Sequence, residues 1–130
     1  MTRRRSVLLI EPDPDTQVRV RSALEARGFE VWTAADGTTG LALARAHRPG
    51  AIVGDFPMDV PGESPFTSAV RRDDRLQGVV IITVTGRNLT EKDSPAWMNS
   101  DRVLSKPITA ERLADEIAWA LDRRGGATGL

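Results

Sequence analysis

The sequence has no cysteine and a single histidine, His47, among its 130 residues. Without cysteine there is no disulfide scaffold, no thiolate zinc site and no cysteine nucleophile. One histidine also argues against a histidine-built metal site and against a Ser-His-Asp triad. No apolar run approaches the roughly 18 residues of a membrane-spanning helix. We therefore expect a soluble cytoplasmic domain that is neither a disulfide-stabilised scaffold, nor a zinc protein, nor a hydrolase with a cysteine nucleophile or a Ser-His-Asp triad.

Net charge excludes a second group of functions. Eighteen Lys and Arg residues balance eighteen Asp and Glu residues, so the formal charge is zero. Such a balance argues against binding to nucleic acid or to a membrane through bulk charge. The length suits one ordinary domain, which can bury its own core without disulfides.

Short apolar runs alternate with segments of helical periodicity along the chain. The runs predict strands at Val7–Ile10, Phe29–Ala34, Ala51–Gly54, Val79–Val84 and Arg102–Leu104. The helical segments are Asp15–Arg27, Thr38–His47, a helix beginning at Phe66, a weak one at Asn88–Met98, and a last one that Thr109 caps. This alternation predicts an α/β fold, a doubly wound five-stranded parallel sheet with helices on both faces.

In such sheets, the residues that bind ligands lie just beyond the carboxyl ends of the strands. The residues that follow the predicted strands are Glu11, Pro12 and Asp13, then Asp55, then Thr85 and Gly86, and finally Ser105 and Lys106. We expect them to converge on one pocket. A carboxylate there can attack phosphorus and hold an acyl phosphate, neighbouring carboxylates can bind Mg²⁺, and a lysine and a hydroxyl can bind phosphoryl oxygens.

Four stretches, "VLLIEPDPD", "PGAIVGD", "IITVTG" and "VLSKPI", make the sequence resemble the receiver domain of two-component response regulators. The resemblance runs from about Ser6 to Arg123 and implies the flavodoxin-like, CheY-like (βα)5 fold. It also implies that Asp55 accepts a phosphoryl group from a histidine kinase or phosphotransfer protein. By the same resemblance Thr85 and Lys106 sense that group, and the Lys106–Pro107 peptide bond is cis.

The resemblance further implies a Mg²⁺ site formed by Glu11, Asp55, the backbone carbonyl of Pro57 and, less directly, Asp13. The family usually has two adjacent acidic residues after the first strand, but here Pro12 takes the second place, so we expect weak Mg²⁺ binding. Asp59 could replace the missing ligand, whereas Asp13 also suits a helix cap. Glu11 has an alternative partner in Lys106.

Two functions remain open. The first is a phosphorylation-driven signalling switch; the alternative is a pseudo-receiver, which keeps the fold as a phosphorylation-independent protein–protein interaction module. Phosphohydrolases with an aspartate nucleophile need a second Asp two residues later, where Pro57 stands, so we expect no enzymatic activity.

The family commonly binds partners, or a second copy, through the face of the fourth helix, fifth strand and fifth helix. Val103 stands there in place of a switching aromatic residue. Helical periodicity predicts that Trp119 faces outward, and Trp97 lies in the weak fourth segment, so both are candidate contacts. We expect the domain to span 5–123, with 124–130 a flexible tail or linker, in a stand-alone receiver or part of a longer regulator.

Overall fold

The computed structural model describes residues 5–56, 58, 60–63, 65–86 and 99–129, with side chains as far as Arg123. In chain order the elements are β1 (Ser6–Ile10), α1 (Pro14–Glu25), β2 (Glu30–Ala34), α2 (Gly37–His47), β3 (Ala51–Gly54), α3 (Phe66–Arg72), a 3-10 turn (Asp74–Leu76), β4 (Val80–Thr85), β5 (Arg102–Ser105) and α4 (Ala110–Gly129). The predicted fourth helical segment, 88–98, lies outside the described residues.

All five strands form one parallel sheet in the order β2-β1-β3-β4-β5. The predicted doubly wound α/β fold is therefore confirmed. Strand order reverses between β1 and β3, which is where ligands bind in sheets of this kind.

Alternate residues of β1, β2, β3 and β4 enter two separate cores, because successive side chains of a strand point to opposite faces. Leu9 and Val53 pack with Leu24 of α1 and Ile117 of α4 on one face. On the other face, the core includes Leu8, Ile52, Leu41, Phe66 and Ile81. A sheet covered on both sides needs strands that are mostly apolar and buried along their whole length, as β1, β3 and β4 are.

The helix boundaries follow from capping residues. The Asp13 carboxylate accepts a hydrogen bond from the Thr16 backbone N–H at the start of α1, and Asp36 does the same for Thr39 in α2. Each cap pairs a donor that the first helical turn leaves unsatisfied. After α1, Gly28 takes a φ of +85°, a left-handed conformation that glycine adopts at little cost.

The last helix extends further than predicted. The sequence indicates an end near Arg123 and a flexible tail over 124–130, yet α4 continues to Gly129. Glycine lowers helix propensity by about 1 kcal/mol per residue but keeps its backbone donor, so the helical hydrogen bonds can pass through it. Among the described residues, no helix is both long enough and apolar enough to cross a bilayer.

Candidate functional site

The carboxyl edge of the sheet brings together side chains that are far apart in sequence. Ile10 pairs with Gly54 across β1 and β3, and Thr85 pairs with Ser105 across β4 and β5. The next residues along these strands therefore emerge side by side at one edge. They meet at a cavity of about 600 Å³ between α1 and α4, whose polar lining is Glu11, Asp13, Thr16, Arg19, Asp55 and Lys106.

The centre of this site is an ion pair between Lys106 and Asp55. Lys106 Nζ lies 3.0 Å from Asp55 Oδ2, and the two side chains are 43% and 40% exposed. An ion pair this accessible to water contributes less than about 1 kcal/mol to stability. Lys106 can therefore leave Asp55 for another anion at little cost to the fold.

Packing on both sides of Asp55 holds its backbone in place. Phe56 is fully buried and stacks on Phe66, with ring centroids 4.9 Å apart and planes 7° from parallel. A methyl group on Gly54 would come within 2.9 Å of the Phe56 ring, so this approach requires glycine. Asp55 thus projects from a backbone that the core anchors at the next residue.

Lys106 is positioned by its backbone. Its N–H donates to the Thr85 carbonyl over 2.9 Å, which continues the pairing of β4 with β5 by one residue. The Lys106–Pro107 peptide bond is cis, the isomer that the resemblance implies. Thr85 itself is 4% exposed and, among the described residues, lies outside the cavity lining.

Glu11 does not pair with Lys106, which corrects that alternative. Its carboxylate Oε2 accepts the backbone N–H of Asp13 over 2.9 Å. Lys106 is paired with Asp55 instead, because β3 and β5 project both residues into the cavity. Glu11 therefore keeps its place at the end of β1 through the following turn.

Asp13 acts as a helix cap, the second role that the sequence allows for it. Its Oδ2 accepts both the Thr16 backbone N–H, at 2.9 Å, and the Thr16 hydroxyl, at 2.6 Å. These hydrogen bonds lower the pKa of the Asp13 carboxyl because they stabilise its charged form. In the described part of the chain, no group of three or more His, Asp or Glu side chains is arranged to hold a metal ion.

Glu11 and Asp55 nevertheless fit a Mg²⁺ ion as a pair. Both line the same cavity, from the ends of the adjacent strands β1 and β3. Mg²⁺ retains several waters and commonly takes only one or two protein carboxylates. Pro57 and Asp59, the other two expected contributors, lie outside the described residues.

Comparison with known proteins identifies the family. The family model for the response regulator receiver domain matches residues 7–118. The chain belongs to this family. Receiver domains are signalling switches that interact with histidine kinases or phosphotransfer proteins, and this chain is a receiver of two-component signalling.

Three proteins illustrate the similarity. The transcriptional regulatory protein PrrA of Mycobacterium tuberculosis is 30% identical over 119 residues, which cover 92% of this chain and 51% of PrrA. This chain thus spans about half the length of that relative. The chemotaxis response regulator CheY4 of Vibrio cholerae is 28% identical, with a TM-score of 0.73 over 92% of this chain and 97% of that one.

The third is the receiver domain of the sensor histidine kinase PA1611 from Pseudomonas aeruginosa. It shares the fold with a TM-score of 0.76 at 24% identity, over 91% of this chain and 98% of that one. Its structure has a magnesium ion coordinated in the active-site cleft.

The receiver has a charge network behind the loop that follows Asp55. Arg45 of α2 makes two hydrogen bonds to the Glu63 carboxylate, at 2.5 and 3.1 Å, and a third to Asp73 at 2.8 Å. Arg75 also binds Asp73, whose side chain is only 7% exposed. These contacts fasten the loop to α2 and to the end of α3.

The network shifts the pKa values of its carboxyl groups. Hydrogen bonds from Arg75 and Arg45 hold the pKa of Asp73 well below its usual range, and those from Arg45 lower the pKa of Glu63. Sequence reasoning missed this network because its members lie on three separate elements.

The predicted outward orientation of Trp119 is confirmed. Its side chain is 49% exposed, and two guanidinium groups contact the ring, Arg102 at 4.9 Å and Arg123 at 5.1 Å from the ring centroid. Val103 of β5 is also exposed. Trp97 lies outside the described residues.

Sequence reasoning also missed three residues of α1 at the site. Thr16 and Arg19 line the cavity, and Gln17 donates to the backbone carbonyls of Glu11 and Ala34 at the ends of β1 and β2. Their positions in the first two turns after the Asp13 cap are the signal that could have found them.

The charge network predicts a pH-dependent cost for Arg45→Met. The carboxyl groups of Glu63 and Asp73 both have lowered pKa values in the folded state. Their contribution to stability is therefore complete above about pH 4.5 and is lost as the pH falls below that. At pH 7 the substitution should lower the free energy of unfolding by about 1–2 kcal/mol. Urea denaturation from about pH 7 to about pH 3 measures this difference, which should shrink toward the acid end.

The matched control is Arg21→Met, which removes an exposed pair with Glu25 one turn along α1. It should cost less than about 0.5 kcal/mol at every pH. An Arg45→Met cost that stays constant with pH would contradict this account of the network.

Proposed function

We propose that Asp55 is the phosphoacceptor of this receiver and that Lys106 responds to its phosphorylation. The observation that carries the proposal is the 3.0 Å contact between Lys106 Nζ and Asp55 Oδ2 at the carboxyl edge of the sheet. It joins a carboxylate, which can become an acyl phosphate, to a cation that can bind the added oxygens. The similarity to a transcriptional regulatory protein and to a chemotaxis response regulator supports this role.

The transfer is a displacement at phosphorus. An Asp55 oxygen forms a bond to phosphorus while the bond from phosphorus to the donor histidine nitrogen breaks, and the imidazole leaves with that electron pair. Lys106 then moves its hydrogen bond from the carboxylate to a phosphoryl oxygen. Thr85, at the end of the neighbouring strand, supplies a hydroxyl as a second sensor of the group.

A Mg²⁺ ion at Glu11 and Asp55 would offset the negative charge that gathers on the phosphoryl oxygens. With Pro12 in the second acidic position, this receiver has one ligand fewer than its family usually provides. The backbone carbonyl of Pro57, or the carboxylate of Asp59, would complete the protein's contribution. We therefore propose that Mg²⁺ binds here with reduced affinity.

The phosphoacceptor role predicts one phosphoryl adduct on the protein. After incubation with acetyl phosphate and Mg²⁺, the intact mass should rise by a single phosphoryl group. Asp55→Asn should remove the adduct, because an amide is a far weaker nucleophile than a carboxylate. Asp13→Asn, which changes another acidic residue of the same cavity, is the control and should retain it.

A folded wild-type protein that gains no mass at any Mg²⁺ concentration would contradict the switch. That result would instead support an interaction module that does not use phosphate. An adduct that persists in Asp55→Asn would place the acceptor elsewhere.

The missing acidic residue predicts a gain in metal affinity for Pro12→Asp. One further charge-assisted oxygen contact should tighten Mg²⁺ binding by about 1–2 kcal/mol. Calorimetric titration measures this directly. Pro14→Asp is the charge-matched control, because Pro14 lies exposed at the start of α1, two residues beyond the position of the family's second acidic residue. Equal affinities of wild type and Pro12→Asp would show that another group already fills the position.

We also propose that the exposed face of β5 and α4 contacts a second copy of this receiver, with Trp119 at its centre. An exposed tryptophan flanked by Arg102 and Arg123 combines an apolar surface with charges that suit an interface. Val103 has neither a ring nor a second common rotamer with which to report phosphorylation. This face should therefore be formed with or without phosphate.

Trp119→Ala should weaken self-association to the same degree with and without acetyl phosphate. Sedimentation velocity over a range of protein concentrations measures the effect, and Val18→Ala, an exposed apolar residue on α1, is the control. The idea fails if acetyl phosphate alone converts monomer to dimer in the wild type and Trp119→Ala abolishes that conversion.

A further inference from the structure

Arg19 is a second cation at the site, and the phosphoacceptor proposal does not use it. It lies on α1 and lines the cavity that contains Asp55 and Lys106. It also lines a neighbouring groove of about 690 Å³, which runs between α1 and the start of α4. Of the residues that the structure describes, only Arg19 and Ile108 line both concavities, so Arg19 lies between the groove and the cavity that contains Asp55.

The orientation of the Arg19 side chain follows from the helix. Side chains of an α-helix lean toward its N-terminus, where one turn earlier the next residue on that face is Thr16. The Arg19 guanidinium donates to the Thr16 hydroxyl oxygen over 3.2 Å, and that hydroxyl donates to Asp13 Oδ2 over 2.6 Å. This chain of hydrogen bonds holds the guanidinium beside the cavity.

Lys106 and Arg19, the two cationic side chains among the described residues of the cavity lining, differ in their ion pairs and hydrogen bonds. Lys106 already pairs with Asp55. Within the described part of the chain, Arg19 makes the one hydrogen bond to Thr16 and no ion pair, which leaves most of its five N–H donors for a ligand. Arginine presents these donors as a planar fork that matches two phosphate oxygens.

An incoming phosphoryl group meets a barrier of charge at this site. Glu11, Asp13 and Asp55 all line the cavity, and each repels a dianionic phosphodonor. In the family this charge is usually offset by Mg²⁺, whose site here lacks the acidic residue that Pro12 replaces. The Arg19 guanidinium, which lines the same cavity, has the opposite charge and can offset part of this repulsion.

We propose that Arg19 binds the phosphoryl group of the incoming donor and positions it for attack by Asp55. This inference rests on the proposed role of Asp55. With acetyl phosphate as donor, an Asp55 oxygen forms the bond to phosphorus, the bond from phosphorus to the bridging oxygen breaks, and acetate leaves with the electron pair. Arg19 takes no proton and forms no covalent bond; it acts on binding and alignment.

Saturation kinetics with acetyl phosphate test the proposal. The rate of adduct formation is followed by intact mass, at fixed Mg²⁺ and ionic strength, as the donor concentration increases. Arg19→Gln should raise the half-saturating donor concentration about fivefold or more, the effect of losing one charge-assisted contact, while the limiting rate changes less. Arg19→Lys keeps the charge without the fork and should fall between Gln and wild type.

Two controls separate this effect from a general change in surface charge. Arg21→Gln removes an arginine that pairs with Glu25 on the same helix, away from the cavity, and should match wild type. Phosphoramidate has one negative charge fewer than acetyl phosphate near neutral pH, so Arg19→Gln should affect it less. Urea denaturation checks that each variant is folded.

The outcomes distinguish this inference from the function on which it rests. If the wild type forms the adduct and Arg19→Gln follows the same saturation curve, the role of Arg19 is wrong and Asp55 stands. Equal losses in Arg19→Gln and Arg21→Gln would also overturn it. If the wild type forms no adduct, the phosphoacceptor proposal fails and Arg19 has no donor to position.

Discussion

Parallel pairing of β3, β4 and β5 is the constraint on which the site depends. Asp55 and Lys106 are 51 residues apart in the chain, yet the shared register of three strands brings their side chains to 3.0 Å. Strands β3 and β4 are buried on both faces, and β5 pairs with β4 along its whole length and packs Leu104 against one core. Slippage of one strand by a residue would turn its apolar side chains to the wrong core, so the register is strongly specified. The positions of the two charges are therefore set by the core and not by their own attraction.

Such an arrangement suits a switch. A half-exposed ion pair contributes little to stability, so its rearrangement costs the fold little. The backbone around it is better anchored, since Phe56 lies in the core and Arg45 ties the following loop to α2 through Glu63. Well-anchored residues thus flank one contact that a phosphoryl group can take over.

The sequence predicts this frame well, because apolar runs and helical periodicity report directly on burial. It also predicts that Asp55 and Lys106 meet, since both follow strands of one parallel sheet. It does not predict the partners of charged side chains. Glu11 has two candidates by sequence, and only the local turn decides that it binds the Asp13 backbone.

Other features of the site depend on geometry that no local pattern encodes. The ties between Arg45, Glu63 and Asp73 join three elements, so their spacing in sequence carries no signal. Arg19 resembles any exposed helical arginine until α1 is placed against the cavity. The sequence also predicts too early an end for α4, because adjacent glycines disfavour a helix without forbidding it.

The central claim is that the carboxyl edge of the sheet makes Asp55, and no other acidic residue, the phosphoacceptor. Borohydride reduction of the phosphorylated wild-type protein, followed by peptide mapping, tests it most directly, because reduction converts an aspartyl phosphate to homoserine. The account predicts homoserine at position 55 alone. Homoserine at position 13 or 59, or a phosphorylated protein that yields no reduced residue at 55, would contradict it.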